Sequence, residues 1–217
     1  MKVIFFFDVM SPYTYWSWQI LKRYRSLWNL SLDFRPIHLG AVLASSGNVT
    51  PASVPNKARY NVKDLERNAK WFKLEHEWKG VPSNFLKDVA PVTILLNRLL
   101  SELVSDSHVS EDRKWAAVEA AFRMVWEEAK YRKGHEFLAP ERSVIIDQIL
   151  SQANLEKGKE IHKTNTDQAI ALGAFGSPTF VIAEEMYFGS DRFEQMAFLQ
   201  GKSWHGPNPP SPWFSKI

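Results

Sequence analysis

Strand-forming segments are confined to the two ends of this 217-residue chain, and the stretch between them has the apolar spacing of helices. Residues 2–8 form a short β-branched and aromatic run, and residues 30–36 alternate apolar and polar side chains. Strand signals return only at 179–182 and 186–188, and residues 183–185 between them suit a hairpin connection. A single sheet must therefore be assembled from both ends of the chain, across a large helical segment.

The first strand runs directly into a helix with a clear start signal. Ser11 is a good N-cap, Pro12 suits the first helical position, and an apolar face continues through Trp16 and Tyr24. The second strand follows at 30–36. We therefore expect a β-α-β unit at the N-terminus, with its two strands parallel.

The middle of the chain is interpreted as one loop followed by helices. Residues 38–55 contain Gly40, Gly47 and two prolines, which is typical of a loop. Apolar residues at helical spacing then predict helices at 63–78, 91–103, 110–126, 144–150 and 161–172. A last helix is expected at 194–200, after the second pair of strands.

The resulting order is βαβ, then helices, then ββα. This is the order of a thioredoxin-like fold, an α/β fold that here carries a large all-helical insertion after the second strand. We assign the thioredoxin-like domain to residues 1–55 and 173–217, and the helical insertion domain to residues 56–172. No internal repeat or low-complexity segment suggests a different architecture.

Composition narrows the function classes. The chain has no cysteine, which excludes disulfides, thiolate metal sites and any mechanism that uses a protein thiol. Its net charge of +3 arises from interspersed acidic and basic residues, so nucleic acid is not an expected partner. The first apolar run is far shorter than the roughly 20 residues of a membrane span, and no histidine pair has metal-site spacing. We expect neither a membrane partner nor a metal.

Residues 11–14, Ser-Pro-Tyr-Thr, occupy the strand-to-helix corner at which redox thioredoxin-like proteins carry Cys-x-x-Cys. Both thiol positions are hydroxyls in this chain. Ser11 places a hydroxyl and nearby backbone N–H groups at the positive end of a helix, where a sulfur anion is favoured over a thiol. A helix cap without any ligand explains the same four residues, so both interpretations stay open at this point.

Two further corners carry polar groups. Pro178 opens the third strand, where this fold usually has a cis proline, so the backbone of Ser177 would face the pocket and pair with a peptide ligand. An ordinary loop proline is the alternative. After the last strand, Asp191 and Glu194 have the spacing of a capping box. The same helix start would also suit an α-amino acid end, with Asp191 binding its ammonium group.

Together these segments resemble the kappa-class glutathione transferases. The segments that carry the resemblance, in order along nearly the whole chain, are 7–13 (Phe-Asp-Val-Met-Ser-Pro-Tyr), Tyr24, 35–36 (Arg-Pro), 46–48 (Ser-Gly-Asn), 173–178 (Gly-Ala-Phe-Gly-Ser-Pro), 188–192 (Phe-Gly-Ser-Asp-Arg) and 204–210 (Trp-x-Gly-Pro-x-Pro-Pro). The related bacterial 2-hydroxychromene-2-carboxylate isomerases share the Ser-Pro corner and the Gly-x-Phe-Gly-x-Pro segment. The ending at 204–210 is more similar to that of the eukaryotic kappa enzymes.

The resemblance implies that glutathione is a co-substrate. The implied glutathione-binding residues are Ser11, Pro12, Tyr13, Asn48, Ser177, Pro178, Ser190 and Asp191. Ser11 would be catalytic and hydrogen-bond the sulfur, next to Pro12 and Tyr13. Asn48 would lie near the glycyl part, Ser177 before a cis Pro178 would pair with the cysteinyl backbone, and Ser190 with Asp191 would hold the γ-glutamyl end.

This sequence departs from the family pattern at two places. Ser177 is polar where the family usually has an aliphatic residue, although a backbone contact should survive that change. The connection at 183–185 is also shorter than the family's. The resemblance further implies a homodimer and, as second substrate, a small hydrophobic electrophile bound by the inserted helices, where we place Trp71 and Phe72.

Three functions are compatible with these residues. The first is conjugation of the glutathione thiolate to small electrophiles, with peroxide reduction as an additional activity. The second is glutathione-dependent cis-trans isomerisation of the 2-hydroxychromene-2-carboxylate type. The third is a non-catalytic thioredoxin-like binding module, which would not need to keep three matching polar corners.

The last three residues, Ser215-Lys216-Ile217, resemble the peroxisomal Ser-Lys-Leu signal with one conservative change. Kappa enzymes are mitochondrial and peroxisomal, and the chain shows no Arg-rich amphipathic presequence. We therefore expect the peroxisome first, the mitochondrion second and the cytoplasm third.

Overall fold

A computed structural model of the chain describes residues 1–81, 85–127 and 154–210. Its strands are β1 (Lys2–Phe7), β2 (Ser31–Pro36), β3 (Thr179–Ile182) and β4 (Glu185–Phe188). Its α-helices are α1 (Pro12–Tyr24), α2 (Leu39–Ser46), α3 (Pro55–Trp71), α4 (Ala90–Ser105), α5 (Glu111–Trp126), α6 (Leu155–Ala171) and α7 (Phe193–Leu199). A π-helical turn at Phe85–Val89 leads into α4.

The four strands form one sheet in the order β2-β1-β3-β4. β1 and β2 are parallel, with Phe5 opposite Phe34, whereas β3 is antiparallel to both β1 and β4. The α/β prediction, the parallel start and the sheet built from both chain ends are therefore confirmed. The ends of β1 and β2 and the start of β3 lie at one edge of this sheet, and that edge carries the corner at Ser11.

The two faces of the sheet are covered differently. On one face, Phe5, Phe7 and Phe180 stack in a row, and the helices that pack there contribute buried aromatic residues such as Trp16 and Phe122. The other face has a small cluster of buried residues: Phe6, Ile37, Val42, Ala169, Ala174 and Val181. Both faces of β1 are thus buried, which explains its uninterrupted apolar run.

The predicted loop at 38–55 is wrong in its first half, because α2 lies there. Residues 39–46 include two leucines and two alanines, which favour a helix, and the helix ends at Gly47, whose φ of 69° is the left-handed conformation of a helix C-cap. Gly47, which the prediction assigned to a loop, is the residue at which α2 ends. The helix predicted at 63–78 also begins earlier and ends earlier, since α3 starts with Pro55 at its first position and stops at Trp71.

Smaller differences occur near the second pair of strands. Glu185 belongs to β4, so the connection is the two-residue turn Ala183–Glu184, in which both residues have positive φ. The last helix, α7, begins at Phe193 after Arg192, which makes no side-chain capping bond. The predicted capping box of Asp191 and Glu194 is therefore not formed.

Some predictions fall outside the described residues, among them the helix at 144–150 and the terminal residues 215–217. The domain boundaries stay a prediction. None of the helices that the structure describes is long and apolar enough to span a bilayer.

Candidate functional site

The corner between β1 and α1 is built around the Ser11 hydroxyl. Ser11 is the N-cap of α1, and its Oγ accepts from the Thr14 backbone N–H at 3.3 Å. The same hydroxyl donates to the carbonyl of Ser177 at 3.1 Å. Ser11 is only 6% exposed, so its oxygen is held in place by neighbours on both sides. The corner presents a hydroxyl and helix N–H groups, an arrangement that suits an anion.

Ser177, two residues before β3, contacts this corner through its carbonyl and its side chain. The Ser177–Pro178 peptide bond is cis. The Ser177 Oγ accepts from the Asp8 backbone N–H at 3.0 Å and lies 2.8 Å from the Oγ1 of Thr14, where either oxygen can be the donor. Ser177 therefore contacts both the end of β1 and the first turn of α1.

A buried carboxylate lies behind the corner, and sequence reasoning missed it. Asp8 is 1% exposed, and its carboxylate accepts from the Met10 and Leu39 backbone N–H groups, each at 2.9 Å, and from the Asn97 Nδ2 at 2.6 Å. Asn97, on α4, also accepts from the Val9 N–H at 3.3 Å. Burial raises the pKa of the Asp8 carboxyl, but three N–H donors match its ionised form.

The signal that could have revealed Asp8 is an acid placed directly after a fully apolar strand. Such a residue is buried with its strand and has to find donors. Its partner Asn97 comes from an inserted helix, 89 residues away, and no local pattern points to it. The pair ties the corner and the start of α2 to α4.

Tyr13 faces the inserted helix α3. Its hydroxyl lies 2.7 Å from the Asn61 Oδ1 and 2.8 Å from the Asp64 Oδ2. Burial and the neighbouring Asp64 raise the pKa of the Tyr13 hydroxyl well above its usual value, which keeps it neutral. Pro12 and Tyr13 are half-buried, so they can line the corner, with the Tyr13 hydroxyl engaged by α3.

Asn48 lies in the loop after α2 and is tied to the segment before Ser177. Its Nδ2 donates to the Phe175 carbonyl at 2.8 Å, and its Oδ1 accepts from the Val49 N–H at 2.9 Å. Close packing continues at Gly176, where an added Cβ would lie 2.6 Å from the Phe188 ring. Asn48 thereby helps to hold the segment that leads into Ser177.

Ser190 and Asp191 lie beside the cis proline. The Gly189 N–H donates to the Pro178 carbonyl at 3.1 Å, and Gly189 has a φ of 102°, which favours glycine. Ser190 is half-buried, whereas Asp191 is exposed and pairs with Arg192 at 3.0 Å. These two residues form the more exposed end of the candidate site.

Other candidate features lie elsewhere. Phe72, expected in an electrophile pocket, is buried and stacks on Trp16 in the core, because α3 runs alongside α1. A groove of about 580 Å³ is lined by Tyr187, Phe198 and Trp204 and contains none of the predicted site residues. Among the described residues, no group of three or more acidic or histidine side chains is arranged to hold a metal ion.

This chain is similar to a known domain family, to curated proteins and to solved structures. The family model of the DSBA-like thioredoxin domain matches residues 2–199. Glutathione S-transferase kappa 1 is 31% identical to this chain in Rattus norvegicus and 32% identical in Homo sapiens, over 95% of this chain and 93% of each relative. The solved structure of a 2-hydroxychromene-2-carboxylate isomerase has a TM-score of 0.67 at 25% identity, covering 93% of this chain and 95% of that chain. The likeness thus extends over nearly the whole chain.

Proposed function

The chain belongs to the DSBA-like thioredoxin domain family and to the kappa class of glutathione transferases, and on this premise we propose that it conjugates glutathione, as its thiolate, to small hydrophobic electrophiles. The sulfur forms a bond to the electrophilic carbon, and the leaving group departs with the bonding electrons. The same thiolate would reduce a peroxide by attacking one oxygen, which releases an alkoxide and leaves a sulfenic acid. A second glutathione then converts that sulfenic acid to the disulfide and water.

One observation carries this proposal. The Ser11 hydroxyl lies at the N-terminus of α1, between the Thr14 N–H and the Ser177 carbonyl. A sulfur anion placed next to Ser11 would meet a hydroxyl donor and the positive end of a 13-residue helix. The chain has no cysteine, so the sulfur has to come from the co-substrate.

The Ser11 proton has to change partners for this chemistry. It is donated to the Ser177 carbonyl, whereas a thiolate needs it as a donor. Because the Thr14 N–H holds the oxygen, only the O–H bond has to turn. We expect the cysteinyl N–H of glutathione to take over the Ser177 carbonyl, as peptide ligands pair with strand backbones. A charge-assisted bond to sulfur is stronger than the neutral bond it replaces.

The free-energy requirement is modest. A free thiol titrates near pH ~8.5, and lowering its pKa by about 2 units takes about 2.7 kcal/mol. A hydrogen bond to a charged group contributes about 1.5–3 kcal/mol, and a helix N-terminus adds about 0.3–1 kcal/mol. Ser11 and α1 together therefore supply about 1.8–4 kcal/mol, a range that includes the requirement.

The more exposed end of the site would bind the γ-glutamyl part. Asp191 is exposed next to Ser190 and would pair with the ammonium group of glutathione. Asn48 has both ends of its amide engaged, so we assign it mainly to holding the segment before Ser177.

Titration tests the proposal directly. Isothermal titration with glutathione should show binding at millimolar or lower concentration, and the bound ligand should show thiolate absorbance near the ultraviolet edge at neutral pH. S-methylglutathione is the control, since it binds the same cradle without a titrating sulfur. Absence of glutathione binding at millimolar concentration would refute the proposal.

The second candidate is the glutathione-dependent isomerisation, favoured by the likeness to the solved isomerase. Glutathione would add to the substrate and leave again, so the same cradle serves both reactions. Parallel assays with chlorodinitrobenzene and a 2-hydroxychromene-2-carboxylate distinguish them. We expect turnover of the first, and turnover of the second alone would reverse the assignment.

Assembly and compartment are further parts of the proposal. A homodimer is expected from the kappa class, and light scattering after size exclusion measures it. The terminal Ser215-Lys216-Ile217 supports the peroxisome before the mitochondrion. A fluorescent fusion that ends in these three residues, compared with one that lacks them, tests that assignment.

A further inference from the structure

Two buried hydroxyls lie behind Ser11 and belong to different parts of the chain. Thr14, in the first turn of α1, is fully buried, and Ser177, before β3, is 7% exposed. Their side-chain oxygens are 2.8 Å apart although the residues are 163 positions apart in the sequence. Ser177 Oγ also accepts from the Asp8 N–H at 3.0 Å.

This contact reaches Ser11 by two routes. The Thr14 N–H donates directly to the Ser11 Oγ, and the Thr14 side chain contacts Ser177, whose carbonyl accepts from the same Ser11 hydroxyl. Thr14 therefore holds the Ser11 oxygen through its backbone and the carbonyl opposite through its side chain. Because all three residues are buried, these neutral hydrogen bonds are not exchanged for water.

We propose that Thr14 and Ser177 form a pair of positioning hydroxyls that sets the distance between the Ser11 oxygen and the Ser177 peptide group, and thereby the pKa and affinity of bound glutathione. This inference rests on the proposed function. In that function the Ser177 peptide group pairs with the cysteinyl backbone while Ser11 donates to the sulfur.

This pair explains why residue 177 is polar in this chain. An aliphatic residue at position 177 would leave the Thr14 hydroxyl next to an apolar group and the Asp8 N–H without this acceptor. Buried groups left without partners are costly, so in this chain the two hydroxyls depend on each other.

Thr14→Val tests the pair, because it keeps the shape and removes the hydroxyl. We expect the dissociation constant of glutathione to rise about three- to tenfold and the pKa of the bound thiol to rise by about half a unit to one unit. Ser177→Ala should have a similar effect. The double variant should be no worse than the more affected single variant, since both remove the same contact. Thr14→Ser keeps a hydroxyl and should stay within about twofold of wild type.

Thr93→Val is the matched control for a lost buried hydroxyl. Thr93 is 1% exposed on α4, and its hydroxyl donates to the Ala90 carbonyl at 2.8 Å, within its own helix. We expect it to lower the melting temperature and to leave the thiol pKa unchanged.

The inference is overturned if Thr14→Val lowers the melting temperature but leaves both glutathione constants as in wild type, or if the two single effects add in the double variant. Should Thr14→Val fail to fold, Ser177→Ala and Thr14→Ser decide by the same two constants. A wild type that binds no glutathione contradicts the proposed function itself, whereas a binding wild type with unshifted variants contradicts only this pair.

Discussion

The two ends of the proposed glutathione cradle differ in burial and in how their polar groups are held. At the corner, Ser11 and Ser177 are 6% and 7% exposed, and their hydroxyls contact α1 and the end of β1. At the more exposed end, the Asp191 side chain is 70% exposed and pairs with its sequence neighbour Arg192. The buried end can therefore control the protonation of a sulfur atom, because its donors are fixed and shielded from water. The more exposed end contributes charge, which water and salt screen.

Ser11→Ala should have the largest effect, because it acts at the buried end. Glutathione binding should stay nearly intact, while the bound thiol loses one charge-assisted hydrogen bond and titrates about one to two units higher. The rate near neutral pH should fall about ten- to a hundredfold and recover partly as the pH rises. Thiolate absorbance against pH, together with the rate, measures both effects.

The matched control is Ser110→Ala. Ser110 caps α5, and its hydroxyl accepts from the Arg113 N–H as Ser11 accepts from that of Thr14. Both variants lose a helix cap, which costs about 0.5–2 kcal/mol of stability. If Ser11→Ala resembles Ser110→Ala in leaving the thiol pKa unchanged, Ser11 is only a helix cap, and the proposed contrast between the two ends is wrong.

Acid should lower the free energy of unfolding, because one histidine is buried in its neutral form. His162, on α6 near the start of α2, is 5% exposed, and burial lowers its pKa to about 4. Below pH ~6.5 the unfolded chain binds a proton that the folded chain refuses, so stability falls as the pH falls, by about 2 kcal/mol between about pH 7.5 and pH 5.

Urea unfolding at the two pH values measures this slope. His162→Phe should flatten it, since phenylalanine does not titrate. Asp8 has the opposite effect on the pH dependence of stability. Burial raises the pKa of its carboxyl, so this group lowers the stability as the pH rises. Asp8 is present in both proteins, so its contribution cancels in the comparison. An equal slope in wild type and variant would exclude His162 as the cause.

Asp191→Asn should have a smaller effect, of a different kind. We expect glutathione affinity to fall about fivefold at low salt, as for an exposed ion pair of roughly 1 kcal/mol. The wild-type affinity should decline with salt and the variant's should change less. The thiol pKa should stay the same in both. Glu194→Gln removes a nearby exposed acid and should remain within about twofold of wild type. A change in thiol pKa in Asp191→Asn would contradict the separation of the two ends.

Asn48→Ala should have the smallest effect, a loss of about two- to threefold in glutathione affinity. The hydrogen bond from its side-chain amide to the Phe175 carbonyl is exposed, so water replaces it at little cost in free energy. Asn208→Ala is the control, because it removes a similar hydrogen bond, to the Trp71 carbonyl, outside the cradle. If the two variants bind glutathione equally well, Asn48 has no part in shaping the segment before Ser177.

Local signals predicted the helix cap at Ser11. A helix cap depends on neighbours within a few residues, whereas the cis bond before Pro178 was expected from the thioredoxin-like fold. The same reasoning failed at residues 39–46, where a glycine that ends a helix looked like part of a loop. It also failed for Phe72, since an aromatic residue in an inserted helix can face either a pocket or the core.

By itself, the sequence determined the succession of strands and helices, the helical middle, the hydroxyl corner and the family, because apolar periodicity and short motifs encode these locally. Only the tertiary structure decided that Asp8 meets Asn97, that Thr14 meets Ser177 and that Tyr13 turns to α3. Each of these contacts joins residues at least 48 positions apart. Their formation depends on how the helices pack against the sheet, and the spacing of residues along the chain does not predict that packing.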